Sequence, residues 1–244
     1  MPPPLDTSPE IEAMQIRIFR SMTVEQHLEI ALEISLLSRA LMSAGVQKQH
    51  PSSSVQEIEP MMKPDLFRRI ASLFERAAVP YMLIGSFAGS VYGMHRGSPD
   101  IDFIIAADEQ SLRNLLELLP EYDFSSNVET GLQSTSRSMF TLIDNRTGMK
   151  IDFIFQERAS LSHEQFQRRK CALVGGVKFY IAAPEDVVLS TMQWAKIGTL
   201  HRQIEDVAGI LKVQNDQLDL SYIEKWVAEF GLLSQWNEAR RLAK

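Results

Sequence analysis

The stretch from Ile84 to Ile105, IGSFAGSVYGMHRGSPDIDFII, leaves this chain few ways to fold. Tyr81-Met82-Leu83-Ile84 is a short apolar run of the kind that forms a buried strand. Gly85 and Ser86 follow it and open a small-residue segment that reads as a short helix. A loop with Arg96, Gly97 and Pro99 leads to a second strand, which carries Asp100 and Asp102. Side chains alternate across a strand, so residues two apart share a face. Asp100 and Asp102 therefore point one way, while Ile101 and Phe103 point into a core. Two neighbouring carboxylates repel unless positive charge lies between them. A divalent cation with oxygen ligands is the usual solution.

The flanking sequence supplies the rest of a sheet and its cover. Ile11 to Arg20 has a short helical pattern. Thr23 and Gln26 have capping-box spacing, and Leu28, Ala31, Leu32, Leu36, Leu37, Ala40 and Leu41 follow as an apolar stripe. Gly45 reads as the stop of that helix, and His50-Pro51-Ser52-Ser53-Ser54 as the start of a linker or short loop-helix segment. Pro64 starts a helix whose Leu66, Ile70, Leu73 and Ala77 share one side. After the two strands come a helix over Gln110 to Leu119 and a polar loop over Gly131 to Arg137. A hairpin of Ser138 to Ile143 and Met149 to Phe155 turns on Asp144-Asn145-Arg146-Thr147-Gly148. Lys150 and Asp152 share one face of its second strand. A second small hairpin spans Leu173 to Ile181, and Pro184 then opens a helix with Glu185 and Asp186 in its first turn. Two or three more helices follow, near Gln203 to Val213, Leu220 to Phe230 and Leu233 to Ala243, with Trp194, Trp226 and Trp236 expected in core or interface.

This order predicts an α+β fold, a small mixed β-sheet flanked by helices, with helical segments at both ends. It divides into a helical N-terminal extension over 1–60, a core over 61–182 and a C-terminal helical segment over 183–244. The net charge of −6 excludes a broadly basic nucleic-acid-coating protein. The single cysteine, Cys171, excludes an internal disulfide. No apolar run reaches the length of a membrane span and the first residues lack a secretory pattern, so a cytoplasmic protein without membrane contact is expected. The five histidines do not cluster at zinc-ligand spacing, and neither a P-loop nor a GxSxG elbow is present.

The residues left standing form one chemical set. Backbone N–H groups at a helix start attract phosphate, Gly85 lets the backbone approach, and the Ser86 hydroxyl adds a donor. Ser86 also fits a plain helix N-cap. Asp100, Asp102 and Asp152 can hold Mg²⁺, a cation that takes oxygen ligands and substrate phosphates. Asp152 can equally take a proton from an attacking hydroxyl. Arg96 is placed to bind phosphate or to pair with Asp100, and Lys150 to neutralise Asp152 or reach a phosphate.

These residues resemble the signature of the DNA polymerase beta-like nucleotidyltransferase superfamily: an apolar residue with Gly85-Ser86, Asp100-x-Asp102, then Asp152 on a later strand. More narrowly, the chain looks like the bacterial minimal nucleotidyltransferases related to AbiEii toxins. Ala183-Pro184-Glu185-Asp186 is similar to that family's SPEDL segment. Arg202, Gln203, Asp206 and Gly209 to Gln214 look like its next helix and loop. The N-terminal sixty residues resemble short bacterial proteins that look like companions of such transferases. The resemblance implies Mg²⁺-dependent transfer of an NMP from an NTP to a hydroxyl, on a tRNA, a protein or a small molecule, in a toxin–antitoxin or defence setting. On that reading Asp100, Asp102 and Asp152 are expected to be catalytic and to bind the metal, and Gly85, Ser86, Arg96 and Lys150 to contact the nucleotide. One position departs: Thr191 stands where relatives carry a lysine, with Lys196 or Lys150 as substitutes. That change favours the alternative reading, an inactive transferase fold that serves as a binding module. The N-terminal stripe is expected to dock on the rest of the chain or to mediate self-association.

Overall fold

The computed structural model describes residues 8–49, 65–94, 96–126, 139–156, 160–198 and 201–243, the side chains of 42–49 and 160–162 excepted. The expected linker after His50, the helix start at Pro64 and the loop over 131–137 lie outside these residues. The fold is α+β, as expected: a seven-stranded mixed sheet in the order β3-β4-β5-β2-β1-β7-β6, flanked by helices. The strands are β1 Tyr81–Ile84, β2 Asp100–Ile105, β3 Phe124–Ser126, β4 Met139–Asp144, β5 Lys150–Phe155, β6 Lys170–Val174 and β7 Val177–Ile181. Both expected hairpins are present, as β4–β5 and β6–β7. The three-residue β3 was not anticipated.

The alternation of apolar side chains builds the core. Ile101, Phe103, Ile105, Ile151 and Phe153 are all fully buried. Helix α3, Leu66–Ala77, lays Phe74 against the sheet, its ring 4.1 Å from Tyr81 and 5.0 Å from Phe153. Helix α5, Glu109–Leu118, starts on Asp108, whose carboxylate accepts the Ser111 N–H at 2.8 Å. The β4–β5 turn is tied inward, because buried Arg69 reaches Asp144 at 2.8 Å and Asp144 accepts the Thr147 N–H at 3.1 Å.

The N-terminal helices are α1, Pro9–Ser21, and α2, Val24–Gln49. The capping box forms: the Gln26 side chain accepts the Thr23 N–H at 2.8 Å, and Thr23 Oγ1 accepts the Gln26 N–H at 3.2 Å. Helix α2 passes through Gly45 to Gln49 instead of stopping there. A glycine inside a helix costs only about 1 kcal/mol relative to alanine, and no proline follows until Pro51. The expected stripe splits in two. Leu28, Ala31 and Leu32 are buried in the same cluster as the sheet. Leu37 and Leu41 are 61% and 65% exposed, and with Ile30 and Ile34 they form an outward row.

The C-terminal helices are α7 Pro184–Gly198, α8 His201–Gln214, α9 Leu220–Phe230 and α10 Leu233–Leu242, with α6, Ser160–Arg168, ahead of β6. Gly231 ends α9 at φ 61°, as expected of a left-handed stop. Trp236 is buried and Trp226 packs beside the core, but Trp194 is 67% exposed, outside the core. Helix α4, Gly85–Tyr92, meets α8 backbone to backbone: a Cβ on Gly93 would lie 2.7 Å from the Gly209 carbonyl oxygen. Among the described residues no helix is long and apolar enough to cross a membrane.

Candidate active site

Strand pairing brings the three carboxylates together. β2 and β5 are parallel neighbours with Asp102 opposite Asp152, and β1 lies antiparallel with Ile84 opposite Asp102. Asp100, two residues before Asp102, shares its face. One oxygen from each of the three carboxylates lies within 4.8 Å of the others. Asp152 is buried and the other two are half-buried.

The donors around them are few. Thr141 on β4 donates its hydroxyl to Asp152 Oδ1 at 2.6 Å, and Lys150 Nζ pairs with Asp152 Oδ2 at 2.6 Å. Ser98 donates its hydroxyl to Asp100 Oδ1 at 3.1 Å. Asp102 has neither. Burial first, then the charges of Asp100 and Asp152, push its carboxyl up to about 6. The bond to Asp152 pushes the Lys150 ammonium above its usual value. Among the described residues one lysine pairs with the three carboxylates, so there negative charge outweighs positive.

The Gly85-Ser86 turn closes on the same spot. Gly85 has φ +66°, and a Cβ there would sit 2.5 Å from Asp102 Oδ2, so only glycine allows this approach. Ser86 does not cap α4; Ile84 holds the N-cap position and no side chain bonds there. The Ser86 side chain is half-buried beside the turn. An all-oxygen donor set, convergent and unbalanced, fits a hard divalent cation such as Mg²⁺.

Arg96 is not with the carboxylates. Its Nε pairs with Asp206 on α8 at 2.8 Å instead of with Asp100. It lines a cavity of about 680 Å³ between α1, α2 and α4, with Ile18, Phe19, Ile30, Ile34 and Met94. None of the three carboxylates lines that cavity. Lys196 donates to the Phe230 carbonyl at 2.8 Å, which holds its ammonium at the C-terminal end of α9. Sequence reading missed Ser98 and Thr141, because single hydroxyls carry no spacing signal. The Ser-Pro before Asp100 and the hairpin register of Thr141 against Asp152 are the only traces.

Residues 20–100 match the Rv0078B-related antitoxin family. No curated protein matches the chain. Among solved structures the chain is similar to ANT(2″)-Ia in complex with adenylyl-2″-tobramycin, at 14% identity over 68% of this chain and 94% of that one, TM-score 0.47. It is also similar to an antigenic nucleotidyltransferase-like protein from Paracoccidioides brasiliensis, at 16% identity over 72% and 90%, TM-score 0.46. A third is the lincosamide antibiotic adenylyltransferase LnuA with lincomycin bound, at 19% identity over 58% and 93%, TM-score 0.41.

Proposed function

We propose that the chain is a Mg²⁺-dependent nucleotidyltransferase that moves an NMP from an NTP to a hydroxyl on an acceptor and releases pyrophosphate. The observation that carries this is the convergence of Asp100, Asp102 and Asp152 beside a glycine turn that no larger residue could form. Residues 61–182 are its core, with 1–60 and 183–244 as helical additions. Bound at the carboxylates, Mg²⁺ would offset the triphosphate charge. Asp100, Asp102 and Asp152 would hold the ion. Gly85 lets the backbone N–H groups of the turn approach a phosphate, and Ser86 adds a hydroxyl donor. Asp152 would complete the metal site or, relieved of Lys150, take the proton of the attacking hydroxyl, and Lys150 would neutralise Asp152 or reach a phosphate oxygen. Arg96, held by Asp206, would serve the nucleotide only by leaving that pair.

The acceptor is a tRNA end or a protein side chain, in a toxin–antitoxin or defence setting of the AbiEii-related kind. The match of residues 20–100 to an antitoxin-related family supports that setting. The outward row of Ile30, Ile34, Leu37 and Leu41, at alternating spacings of four and three, supports self-association through α2. The second reading, an inactive binding module, is favoured by Thr191 and by Lys150 already occupying Asp152. Incubation with radiolabelled NTPs, Mg²⁺ and total tRNA or protein separates the two. Label on an acceptor, lost in the Asp100→Ala/Asp102→Ala variant, is expected. No label, with no NTP binding by wild type, leaves the binding module.

A further inference from the structure

Helix α2 touches the chain at the start of both carboxylate strands. Ser35 faces inward and is 2% exposed. Its hydroxyl donates to the Ala31 carbonyl at 2.7 Å and accepts the Ser98 N–H at 2.9 Å. Ser98, also buried, passes the contact on to Asp100 Oδ1 at 3.1 Å. Between them Gly97 lies on the α2 backbone: a Cβ there would meet Ser35 Cα at 3.1 Å and Ser35 N at 3.2 Å. Pro99 then fixes φ immediately before Asp100. One helical turn beyond Ser35, Arg39 reaches the β4–β5 turn. Its guanidinium is 3.5 Å from the Thr147 carbonyl and 3.4 Å from Met149 Sδ, just ahead of Lys150 and Asp152.

We propose that α2 is a positioning element for the acidic site, with Ser35 as the positioning residue that sets Asp100 through Ser98. The inference rests on the metal-site reading above. The helix holds the loop into β2 and the turn into β5 at a fixed separation, and so fixes how Asp100 stands toward Asp152. Ser35 touches no substrate; it acts by orienting a carboxylate. Outer partners of metal ligands change metal affinity by about 10- to 100-fold when removed.

The test is Mn²⁺ titration of the full chain, followed by the electron paramagnetic resonance signal of free Mn²⁺, together with hydrogen exchange of the Ser98 amide. Ser35→Ala and Ser98→Ala are each expected to weaken Mn²⁺ about tenfold. Gly97→Ala, which presses the loop off α2 while keeping both hydroxyls, is expected to do the same. Ser38→Ala is the control, because Ser38 makes the same back-bond, to the Ile34 carbonyl at 2.8 Å, on the exposed side. In Ser35→Ala the Ser98 amide is expected to lose protection while the melting transition stays cooperative. Unchanged Mn²⁺ affinity in Ser35→Ala and Ser98→Ala overturns the inference, as does an equal loss in Ser38→Ala. Wild type that binds no Mn²⁺ overturns the transferase reading instead. The Ser98 amide then decides the role of α2, and equal protection in wild type and Ser35→Ala rejects it.

Discussion

Two acidic clusters in this molecule are built on opposite plans. In the first, Glu185 and Asp186 open α7 and are buried, and Arg168 answers both, at 3.0 Å and 3.5 Å. Tyr222 donates its hydroxyl to Asp186 at 2.8 Å, and the Asp219 N–H donates to Glu185 at 3.1 Å. The Arg168 guanidinium also lies 3.8 Å from the centre of the Tyr222 ring. In the second, among the described residues, Asp152 has one lysine and one hydroxyl and Asp100 one hydroxyl. Each cluster holds one carboxyl pushed up to about 6, Asp186 and Asp102, with burial the first cause in both. A raised carboxyl value therefore does not mark a working site here. What separates the clusters is whether the protein itself supplies the countercharge. The first is closed and joins α6, α7 and α9. The second is left short of countercharge among the described residues, which is where the proposed cation would bind.

The largest expected effect tests the open cluster. Asp100→Ala/Asp102→Ala should lower label transfer by on the order of a thousandfold or more while the melting temperature holds or rises, since repulsion is relieved. A variant that keeps wild-type transfer would remove the distinction between the clusters. Next is the closed cluster: Arg168→Met leaves two buried carboxylates without their cation and should cost about 3–5 kcal/mol in denaturant unfolding. A loss under about 1 kcal/mol would mean that Arg168 is dispensable.

Proton linkage gives a smaller, sharper test. Asp102 takes up a proton more readily in the fold than in the unfolded chain, where its value is near the usual 3.8. Its contribution to stability is therefore full at low pH and is lost as pH rises from about 4 through about 6. Without Mg²⁺, the melting temperature of wild type relative to Asp102→Asn should fall across that window. Added Mg²⁺ should raise the wild-type melting temperature more at pH 7.5 than at pH 5 and leave the Asp186→Asn difference untouched. A metal effect that is the same at both pH values would argue against carboxylate ligation. Smallest is Lys150→Met. Half-exposed Lys150 is an adjustable partner, and its loss should raise the KM for NTP a few-fold with little change in stability. For the outward row on α2, Leu37→Glu with Leu41→Glu should shift the solution mass by light scattering toward the monomer. An unchanged mass excludes α2 as the self-association face.

The acidic site was legible in the sequence because it uses the two strongest local signals. Period-two alternation placed Asp100 with Asp102, and Asp152 in a similar apolar frame. The glycine turn told of a close approach. What the sequence could not give was pairing at a distance. Arg96 looks like a neighbour of Asp100, yet its partner Asp206 lies far along the chain, on α8. Ser35 lies between residues of the apolar stripe and carries no signal of its own; only the fold reveals that a loop lies on it. The same stripe looked like a single face because periodicity counts apolar residues without saying which side meets the core. Glycine was ambiguous too: Gly231 ends a helix, while Gly45 lies inside one.

The register of β2 against β5 has a kinetic consequence. About fifty residues separate Asp102 from Asp152, and the two strands pair in parallel with those residues opposite. Closing so long a loop is slow compared with forming a local hairpin. A slip of one residue would turn Asp152 to the other face of the sheet. A cation held by all three carboxylates would therefore need this long-range pairing, since no local fragment of the chain contains both Asp102 and Asp152. In a refolding experiment, Mn²⁺ uptake would report the pairing of β2 with β5 in register, and a misregistered sheet would be silent to it.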